Sequence, residues 1–326
     1  MRLLITGATG KVGGHFLSAL RREARFAECS VVALCHNRPL PPEAGAESVT
    51  GSIADRPTVA RAMVGVTHVV HLAAVKESPD LAIDVAIKGM FNLMEEFRAS
   101  PDARQFLLLG GDCAVGHAFQ PYPGPVTEIS PRKAYPGCYA LTKVLEEVML
   151  EQYQTQYDID GCCLRAPWVM EKDDFRFAMA FGPEQFGGPP WDDFLPRDRI
   201  AALQGQDVVP LMLDRNGAPL RRNFIHVSDL VEAMLLALAN PAARQHLFNI
   251  AMDEPVDYSK LAHHLSETRE MQSLEIRTDM YSNWLDNSKA KHILNWRPTF
   301  DYKRMADDAW NYARQPNEPR KVWYPG

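Results

Sequence analysis

The sequence lacks the marks of several common protein classes. It contains six cysteines but no Cys-x-x-Cys pair, so we expect no metal site and a reducing environment. No apolar run approaches the roughly 20 residues that cross a membrane. The first residues lead directly into a glycine motif, so we expect no secretory signal. These absences predict a cytoplasmic protein with no membrane partner.

Positive charge is also in short supply. The 326 residues include 35 Lys and Arg against 41 Asp and Glu, a formal net charge of −6 at pH 7. Because nucleic-acid binding depends mainly on a basic surface, this balance argues against a nucleic-acid partner. The composition, 46% hydrophobic and 23% charged, is ordinary for a globular protein. We expect a small-molecule substrate, and one large domain or two closely joined ones.

Short apolar runs alternate with longer amphipathic stretches in the first half of the chain. Periodicity predicts strands at 2–5, 30–35, 48–51, 68–72, 105–109 and 160–165, and helices at 12–25, 56–63, 81–99 and 139–157. Later segments predict strands at 223–227 and 247–250, a helix at 229–239, and a glycine- and proline-rich loop at 181–196. This alternation indicates an α/β fold with a parallel sheet covered on both faces, and a smaller second domain built from late segments.

A glycine-rich segment follows the first strand and opens the first helix. It reads Thr6-Gly-Ala-Thr-Gly-Lys-Val-Gly13. Three glycines at this spacing permit a tight turn, a close approach of the backbone to a pyrophosphate, and close helix–strand packing. The helix N-terminus then offers free N–H groups to phosphate. The segment predicts a dinucleotide site with these cofactor contacts: Gly7, Thr9, Gly10, Lys11, Val12 and Gly13.

The second strand ends without the acidic residue that binds the adenosine ribose of NAD. Its end reads Cys35-His36-Asn37-Arg38. An arginine here can pair with a phosphate, whereas a carboxylate would repel it. We therefore expect His36, Asn37 and Arg38 to contact the cofactor, and NADP to be favoured over NAD. The alternative is that Arg38 is a loop arginine in solvent.

Tyr139 and Lys143 lie four residues apart in the predicted helix 139–157. Residues at this spacing share one helix face. An ammonium beside a phenol stabilises the phenolate, so we expect Lys143 to lower the pKa of Tyr139 from its usual value of about 10. Such a tyrosine can exchange a proton with a substrate hydroxyl while a hydride moves to nicotinamide. Pairs of this kind are common by chance, but this one follows a nucleotide motif.

Together these motifs resemble the extended short-chain dehydrogenase/reductase family, in particular its NAD-dependent epimerase/dehydratase-like group. The resemblance covers nearly the whole length. It rests on residues 6–13, 71–74, 139 with 143, 164–165, 222–229, 248–250 and 286–298. It implies a Rossmann-like doubly wound parallel sheet and a smaller mixed C-terminal substrate domain.

The resemblance also implies a division of the chain and a set of contacts. The dinucleotide-binding domain would comprise residues 1–170 and 221–252, and the substrate-binding domain residues 171–220 and 253–326. Tyr139 would be the acid/base, and Lys143 would hold the nicotinamide ribose. Helices 81–99 and 144–157 resemble the dimer-forming pair of the family, so we expect a homodimer. Further cofactor contacts would be Ser52, Ile53, Leu72, Ala73, Ala74 and Pro167.

Several positions depart from the family pattern. Trp168 stands where sugar-nucleotide enzymes carry a substrate-contacting Asn, and Ala86 stands at another position where Asn is common. Gly111 replaces the Ser or Thr that bonds the reacting substrate oxygen. Asp112 and Cys113 occupy the positions of an acid pair in sugar-nucleotide dehydratases. We therefore expect Asp112 to be catalytic and to face the reacting carbon, or else to cap the following turn.

We interpret the chain as an NAD(P)-dependent oxidoreductase. It would move a hydride between nicotinamide and a secondary alcohol or ketone of a small polar substrate, such as a sugar, sugar acid or hydroxy acid. One alternative is a sugar-nucleotide epimerase or dehydratase, in which the hydride leaves and returns within one cycle. A second is a non-catalytic NADP-sensing binding protein, which would need neither Tyr139 nor Lys143. The expected substrate contacts are Gly111, Cys113, Trp168 and Arg222, since Arg222 matches a family position that contacts an anionic group.

Overall fold

The structure is a computed structural model that describes residues 1–182, 185, 190–318 and 320. Its strands are β1 (Arg2–Thr6), β2 (Ser30–Cys35), β3 (Glu47–Thr50), β4 (His68–His71), β5 (Gln105–Gly111), β6 (Gly161–Ala166), β7 (Trp168–Met170), β8 (Val208–Leu213), β9 (Arg221–Arg222), β10 (Phe224–His226), β11 (Leu247–Asn249), β12 (Val256–Asp257) and β13 (Gln272–Arg277). Its helices are α1 (Lys11–Arg22), α2 (Arg56–Ala62), α3 (Pro79–Leu81), α4 (Gly89–Ala99), α5 (Cys138–Tyr157), α6 (Asp174–Ala178), α7 (Arg197–Leu203), α8 (Val227–Ala237), α9 (Tyr258–Arg269), α10 (Ser288–Ile293) and α11 (Tyr302–Asn311). None of the helices it describes is long and apolar enough to cross a membrane.

Seven strands form one sheet in the order β3-β2-β1-β4-β5-β6-β11. Every neighbouring pair runs parallel. The six strands predicted between residues 2 and 165 and the strand predicted at 247–250 all lie in this sheet, with ends that agree within one or two residues. The predicted Rossmann-like parallel sheet is therefore confirmed.

Helices cover both faces of the sheet. On one face α1 and α8 pack together, and Phe16 and Leu230 are buried in the core between them and the strands. On the other face α4 and α5 contribute Leu93 and Leu150 to a second core. This three-layer arrangement explains the continuous apolar runs of the strands, because a parallel sheet is buried on both sides.

The predicted helix 81–99 is not one continuous α-helix. It consists of α3, a π-helical stretch at Ala82–Lys88, and α4. The π stretch packs against α5, and its Ala86 is buried. An apolar period of about 3.6 residues does not distinguish this wider turn from an α-helix, so the sequence pattern missed it.

Two later predictions are correct in type but differ in detail. The strand predicted at 223–227 is β10, which pairs with β7 outside the main sheet. The helix predicted at 229–239 begins two residues earlier, as α8. It begins there because His226 Nδ1 accepts a hydrogen bond from the Ser228 N–H and caps the first turn.

The C-terminal region forms another packed cluster. β8 pairs in parallel with β13, and α9 and α11 pack beside them with Met212, Tyr258 and Met305 buried. Of the loop predicted at 181–196, Trp191–Asp193 is a single 3-10 turn. Residues 183, 184 and 186–189 of that loop lie outside the described residues. The predicted domain boundaries stay a prediction.

Asp229 in α8 fastens the C-terminal region to the sheet. Its buried carboxylate accepts hydrogen bonds from the N–H groups of Thr299 at 2.9 Å and Phe300 at 3.0 Å. It also accepts one from the Thr299 hydroxyl at 2.8 Å. The Asp229 carbonyl accepts the indole N–H of the buried Trp296 at 2.9 Å. One aspartate therefore satisfies four donors from a segment about 70 residues later in the chain.

We expect Asp229→Ala to lower the free energy of unfolding by roughly 2–4 kcal/mol, because it leaves buried donors without an acceptor. Urea unfolding followed by circular dichroism measures the loss. Asp301→Ala is the matched control, since Asp301 caps α11 at the surface by accepting the Arg304 N–H at 2.8 Å. Its removal should cost about 1 kcal/mol. Equal losses in the two variants would contradict the anchoring role of Asp229.

Candidate active site

The glycine-rich turn between β1 and α1 has no room for side chains. Gly7 has a φ of +71°, and a Cβ there would lie 2.8 Å from the Ala73 nitrogen. A Cβ at Gly13 would lie 2.3 Å from the Gly7 carbonyl oxygen. Gly10 stands at the N-cap of α1, and its N–H donates to the Gly7 carbonyl at 3.1 Å. The turn presents bare backbone and a helix N-terminus, which fits the pyrophosphate of a dinucleotide.

The ends of β1 and β4 are joined behind this turn. The Thr6 hydroxyl accepts the N–H groups of Leu72 and Ala73, both at 3.2 Å. Its oxygen also lies 2.7 Å from His71 Nδ1. Burial, with a smaller effect of Lys143, lowers the pKa of His71 to about 3, so this ring is neutral. The strand order reverses at β1, and open α/β sheets bind ligands in the crevice at such a point.

The remaining predicted cofactor residues follow the carboxyl ends of other strands in this region. They are His36, Asn37 and Arg38 after β2, Ser52 and Ile53 after β3, Ala74 after β4, and Pro167 after β6. His36, Asn37 and Arg38 are exposed. The Gly51 N–H donates to the Cys35 carbonyl at 2.9 Å, which places the loop after β3 beside the end of β2. The structure therefore brings the predicted ribose and adenine contacts to one edge of the sheet.

The side chain of Lys11, at the start of α1, is bound to later segments of the chain. Its ammonium pairs with Asp174 and donates to the Val169 carbonyl at 3.1 Å. Both partners follow the main sheet strand β6, so this side chain ties the glycine turn to β7 and α6. Thr9 is exposed and Val12 is partly buried. A cofactor contact by Lys11 would therefore involve its backbone rather than its ammonium.

Glu77 positions the helix that carries Tyr139 and Lys143. One of its carboxylate oxygens accepts the backbone N–H of Cys138 at 2.9 Å and that of Tyr139 at 3.5 Å. A carboxylate is favourable at the positive end of a helix. Gly137, with φ +149°, makes room for it, because a Cβ there would lie 2.6 Å from Glu77 Oε1. The segment after β4 therefore fixes the start of α5.

Lys143 is buried and points to the end of β5. Its ammonium donates to the Leu109 carbonyl at 3.1 Å and pairs with Glu146 at 2.7 Å. Burial disfavours the charged ammonium, but the Glu146 carboxylate outweighs this effect and raises the pKa of Lys143. Burial raises the pKa of Glu146, although Lys143 opposes that rise. Lys143, which the sequence predicts to be catalytic, is thus paired with Glu146 as its counter-ion.

The prediction that Lys143 lowers the pKa of Tyr139 is wrong. Burial raises the pKa of Tyr139 well above its ordinary value of 10, and the negative charge of Glu146 adds to the rise. The Lys143 ammonium lies 5.9 Å from the ring centroid, and Glu146 offsets its charge. The Lys76 ammonium lies closer, at 4.0 Å. The phenol is therefore protonated at neutral pH and is poised to donate a proton.

The two glycines that end β5 create space for sulfur atoms. A Cβ at Gly110 would lie 2.8 Å from Cys163 Sγ, and one at Gly111 would lie 2.9 Å from Cys113 Sγ. A side chain at position 111 would therefore meet the Cys113 thiol. Burial raises the pKa of Cys113, so this thiol is neutral. The same Gly111 Cβ position lies 3.8 Å from Lys143 Cγ, which places β5 and α5 in close contact here.

Asp112 does not cap the turn that follows it. Its buried carboxylate lies 2.5 Å from His117 Nδ1, and among the described residues it accepts no backbone N–H of the 3-10 turn Asp112–Val115. The capping alternative is therefore wrong. The catalytic role of Asp112 stays a prediction.

Arg222 and Trp168 lie at the other side of His117. The Arg222 guanidinium donates to His117 Nε2 from Nε at 3.2 Å and from a terminal nitrogen at 3.0 Å. The Trp168 ring stacks on His117 with centroids 6.2 Å apart, and it lies 5.0 Å from the guanidinium carbon. Two predicted substrate residues, Trp168 and Arg222, are therefore brought together with Asp112. Cys113 and Gly111 precede His117 on the same segment.

Four residues of the site were not predicted from the sequence. They are Lys76, Glu77, His117 and Glu146. Glu146 had a usable signal, because it lies three residues after Lys143 and so shares its helix face. Glu77 and His117 act through contacts with distant segments, which a single sequence does not reveal. In the described part of the chain, no group of three or more His, Cys, Asp or Glu could hold a metal ion.

Known proteins resemble this chain over most of its length. Residues 3–251 match the NAD dependent epimerase/dehydratase family. The chain is 25% identical to UDP-glucuronate 4-epimerase 1 of Arabidopsis thaliana over 94% of this chain and 73% of that protein. It is 24% identical to UDP-glucose 4-epimerase of Mycoplasma pneumoniae over 96% of each.

Solved structures share the fold. A short-chain dehydrogenase/reductase superfamily protein from Agrobacterium tumefaciens with bound NAD superposes with a TM-score of 0.79 and 24% identity, over 95% of this chain and 96% of that one. UDP-glucuronic acid 4-epimerase from Bacillus cereus in complex with NAD gives a TM-score of 0.71 and 19% identity, over 96% and 98%. With the family match spanning residues 3–251, this chain belongs to the NAD-dependent epimerase/dehydratase family, within the extended short-chain dehydrogenase/reductases.

Proposed function

We propose that this protein catalyses hydride transfer at a secondary hydroxyl of a sugar, with Tyr139 as the acid/base. The observation that carries the proposal is the position of Tyr139 and Lys143. They lie on the first turns of α5, and Lys143 contacts the end of β5 beside the crevice formed by β1 and β4. A nicotinamide dinucleotide, when bound there, supplies the hydride acceptor and donor.

Each residue of the site has a task in this proposal. Gly7, Gly10 and Gly13 would hold the pyrophosphate on bare backbone. Lys143 would hold the nicotinamide ribose, as its family position implies. Tyr139 would take the proton of the substrate hydroxyl during oxidation and return one during reduction. Because its pKa is raised, Tyr139 begins as an acid, and oxidation requires its prior deprotonation.

The relatives favour epimerisation of a nucleotide-linked sugar. Several are UDP-glucuronate or UDP-glucose 4-epimerases, and they match nearly the whole chain. In such a reaction the hydride returns to the same substrate, so the cofactor shows no net change. We therefore infer that a UDP-sugar epimerase or dehydratase is the primary function, ahead of the net oxidoreductase expected from the sequence.

A net oxidoreductase acting on an unlinked sugar or sugar acid is the second candidate. The observation that favours it is the altered substrate side of the cleft. Trp168 occupies the place of an asparagine and stacks on His117. Cys113 fills the space of the missing hydroxyl at Gly111. A non-catalytic sensor is less well supported, because binding alone requires neither Tyr139 nor the buried Lys143–Glu146 pair.

A substrate screen separates these functions. We expect UDP-glucose or UDP-glucuronate to be converted to its epimer without lasting change in nicotinamide absorbance. Net reduction of the cofactor by unlinked glucuronate or glucose would instead favour the second candidate. NMR of the products and absorbance of the reduced nicotinamide give the two readouts.

Tyr139→Phe tests the assigned acid/base in the same assay. We expect turnover to fall by ~10²–10⁴, because the ring keeps its packing but loses the transferable proton. Cofactor affinity should change little. Tyr157→Phe is the matched control, since Tyr157 is exposed at the far end of α5. If Tyr139→Phe kept more than about a tenth of the wild-type rate, the mechanism would be wrong.

Glu146→Gln tests the control of proton transfer. The amide keeps the volume and can still accept the Lys143 hydrogen bond, but it removes a negative charge that raises the pKa of Tyr139. With a lower phenol pKa, the phenolate forms at lower pH. We therefore expect the rising limb of kcat against pH, in the oxidation direction, to move to lower pH.

The matched control for this prediction is Glu151→Gln on the same helix. Glu151 is exposed and pairs with Arg132 at 2.6 Å. Its pH profile should superpose on that of the wild type. Identical profiles for all three proteins would show that Glu146 serves stability alone.

The cofactor preference is a separate proposal. The chain lacks a carboxylate after β2 and exposes Arg38 there, which favours NADP. The similar structures from Agrobacterium tumefaciens and Bacillus cereus contain NAD, which favours NAD. The residues of this chain are the more direct observation, so we propose NADP.

Titration of the protein with NAD and with NADP tests this cofactor preference. We expect NADP to bind more tightly than NAD, and Arg38→Ala to weaken NADP roughly tenfold while sparing NAD. Arg244→Ala is the control, because Arg244 is exposed before the edge strand β11 and pairs with Asp158. Tighter binding of NAD, or an unchanged NADP affinity in Arg38→Ala, would overturn the proposal.

We also infer a homodimer located in the cytoplasm. α4 and α5 pack side by side and leave Phe91, Leu141 and Val148 exposed. An exposed apolar face of this kind is typical of a subunit interface. All six cysteines are unpaired thiols, which suits a reducing compartment.

A further inference from the structure

Arg222 is a buried cation with neutral partners. Its side chain is 3% exposed, and no carboxylate of the described residues lies within 4.0 Å of its nitrogens. Its hydrogen-bond acceptors are His117 Nε2 at 3.0 and 3.2 Å and the Tyr258 hydroxyl at 3.2 Å. The faces of Trp168 and Phe224 lie 5.0 and 5.3 Å from its guanidinium carbon.

A guanidinium does not lose its proton in a protein, so this charge persists in the interior. A buried charge without a counter-ion is costly unless a ligand supplies one. By contrast, the buried Lys143 and Arg165 each contact a carboxylate directly. Of Lys143, Arg165 and Arg222, the last is therefore the one whose charge a bound anionic ligand could pair.

His117 is held in one tautomer by its two partners. Arg222 can only donate hydrogen bonds, so His117 Nε2 must carry a lone pair. The ring proton then lies on Nδ1, where Asp112 accepts it at 2.5 Å. The width of the imidazole separates the Asp112 carboxylate from the guanidinium. Asp112 thus orients the ring but does not neutralise Arg222 by contact.

The backbone at His117 is held in an uncommon, left-handed conformation. Gly116 and His117 both have positive φ, at +83° and +44°. A left-handed conformation at a non-glycine residue is maintained only where the surroundings impose it. The Asn283 side chain donates to the His117 carbonyl, and Trp168 stacks on the ring at an angle of 16°. Asp112, Asn283 and Trp168 therefore hold His117 against Arg222.

We propose that Asp112 and His117 are positioning residues that aim Arg222 at an anionic oxygen group of the substrate, a carboxylate or a phosphate. The proposal rests on the proposed function for the existence of an anionic sugar substrate. It assigns Asp112 to orientation through His117 in place of direct action on the reacting carbon. His117, which ends the segment beginning with Gly110 and Gly111, thereby links the end of β5 to β9.

Anion binding to the cofactor-loaded protein tests the proposal. Isothermal titration with UDP, inorganic phosphate and glucuronate identifies which anion the wild type binds and distinguishes phosphate from carboxylate. We expect His117→Phe, which keeps a ring against Trp168, to weaken binding of that anion about tenfold or more, as a misplaced binding group would. Arg222→Gln should weaken the binding by more than His117→Phe does, to an affinity that titration still measures. His264→Phe, which removes another His–Asp pair at 2.9 Å from Asp307 on α9 and α11, is the matched control.

The double variant separates positioning from general stability. If His117 acts through Arg222, His117→Phe should cause no further loss in the Arg222→Gln background. Additive losses, or a wild-type affinity in His117→Phe, would overturn the proposal. Should His117→Phe fail to fold, Asp112→Asn replaces it. That variant should raise KM for the anionic substrate and leave kcat unchanged, and a fall in kcat at constant KM would return Asp112 to a direct catalytic role.

The outcomes also distinguish this proposal from the function on which it rests. If the wild type binds none of the three anions but turns over neutral sugars, the anion site is refuted and the hydride-transfer function stands. If Arg222 and His117 control anion binding but no sugar is turned over, the positioning pair stands and the proposed catalysis fails.

Discussion

The close approach of the glycine turn to the backbone after β4 is the constraint on which the site depends. Gly7 leaves no space for a Cβ against Ala73, and Gly13 leaves none against Gly7. The Thr6 hydroxyl accepts the N–H groups of Leu72 and Ala73, so the two segments are hydrogen-bonded where they approach. The start of α1 and the end of β4 are thereby held at backbone distance, and the crevice between them is lined by main chain.

The two buried cations of the cleft, Lys143 and Arg222, have different contact partners. Lys143 has a carboxylate in direct contact, so its field at Tyr139 is reduced and burial keeps the phenol protonated. Arg222 has only neutral acceptors, with the Asp112 carboxylate placed behind His117. In the proposed function, Lys143 would serve orientation near the reacting hydroxyl, and Arg222 would retain its charge for recognition of an anion. This division explains how two basic residues can share one cleft without acting alike.

The parts of this structure that local chemistry dictates could be predicted from the sequence. The sheet followed from apolar runs, and the glycine turn from the need for a missing Cβ at Gly7 and Gly13. The charge state of Tyr139 could not be predicted, because it depends first on how deeply the phenol itself is buried and then on nearby charges such as Glu146. The Arg222–His117 contact joins residues 105 positions apart, which no spacing rule foretells. Prediction thus succeeded for backbone requirements and failed for long-range electrostatics.

The attachment of the C-terminal segment to α8 has a consequence for motion. Trp296 and Thr299 bond to Asp229, whose helix packs directly on the sheet. A segment fastened in this way cannot open by itself, because its release exposes an indole and several backbone N–H groups together. The C-terminal region and the sheet are thus parts of one cooperative unit. Amide hydrogens near Phe300 will therefore exchange with solvent as slowly as those of the central strands.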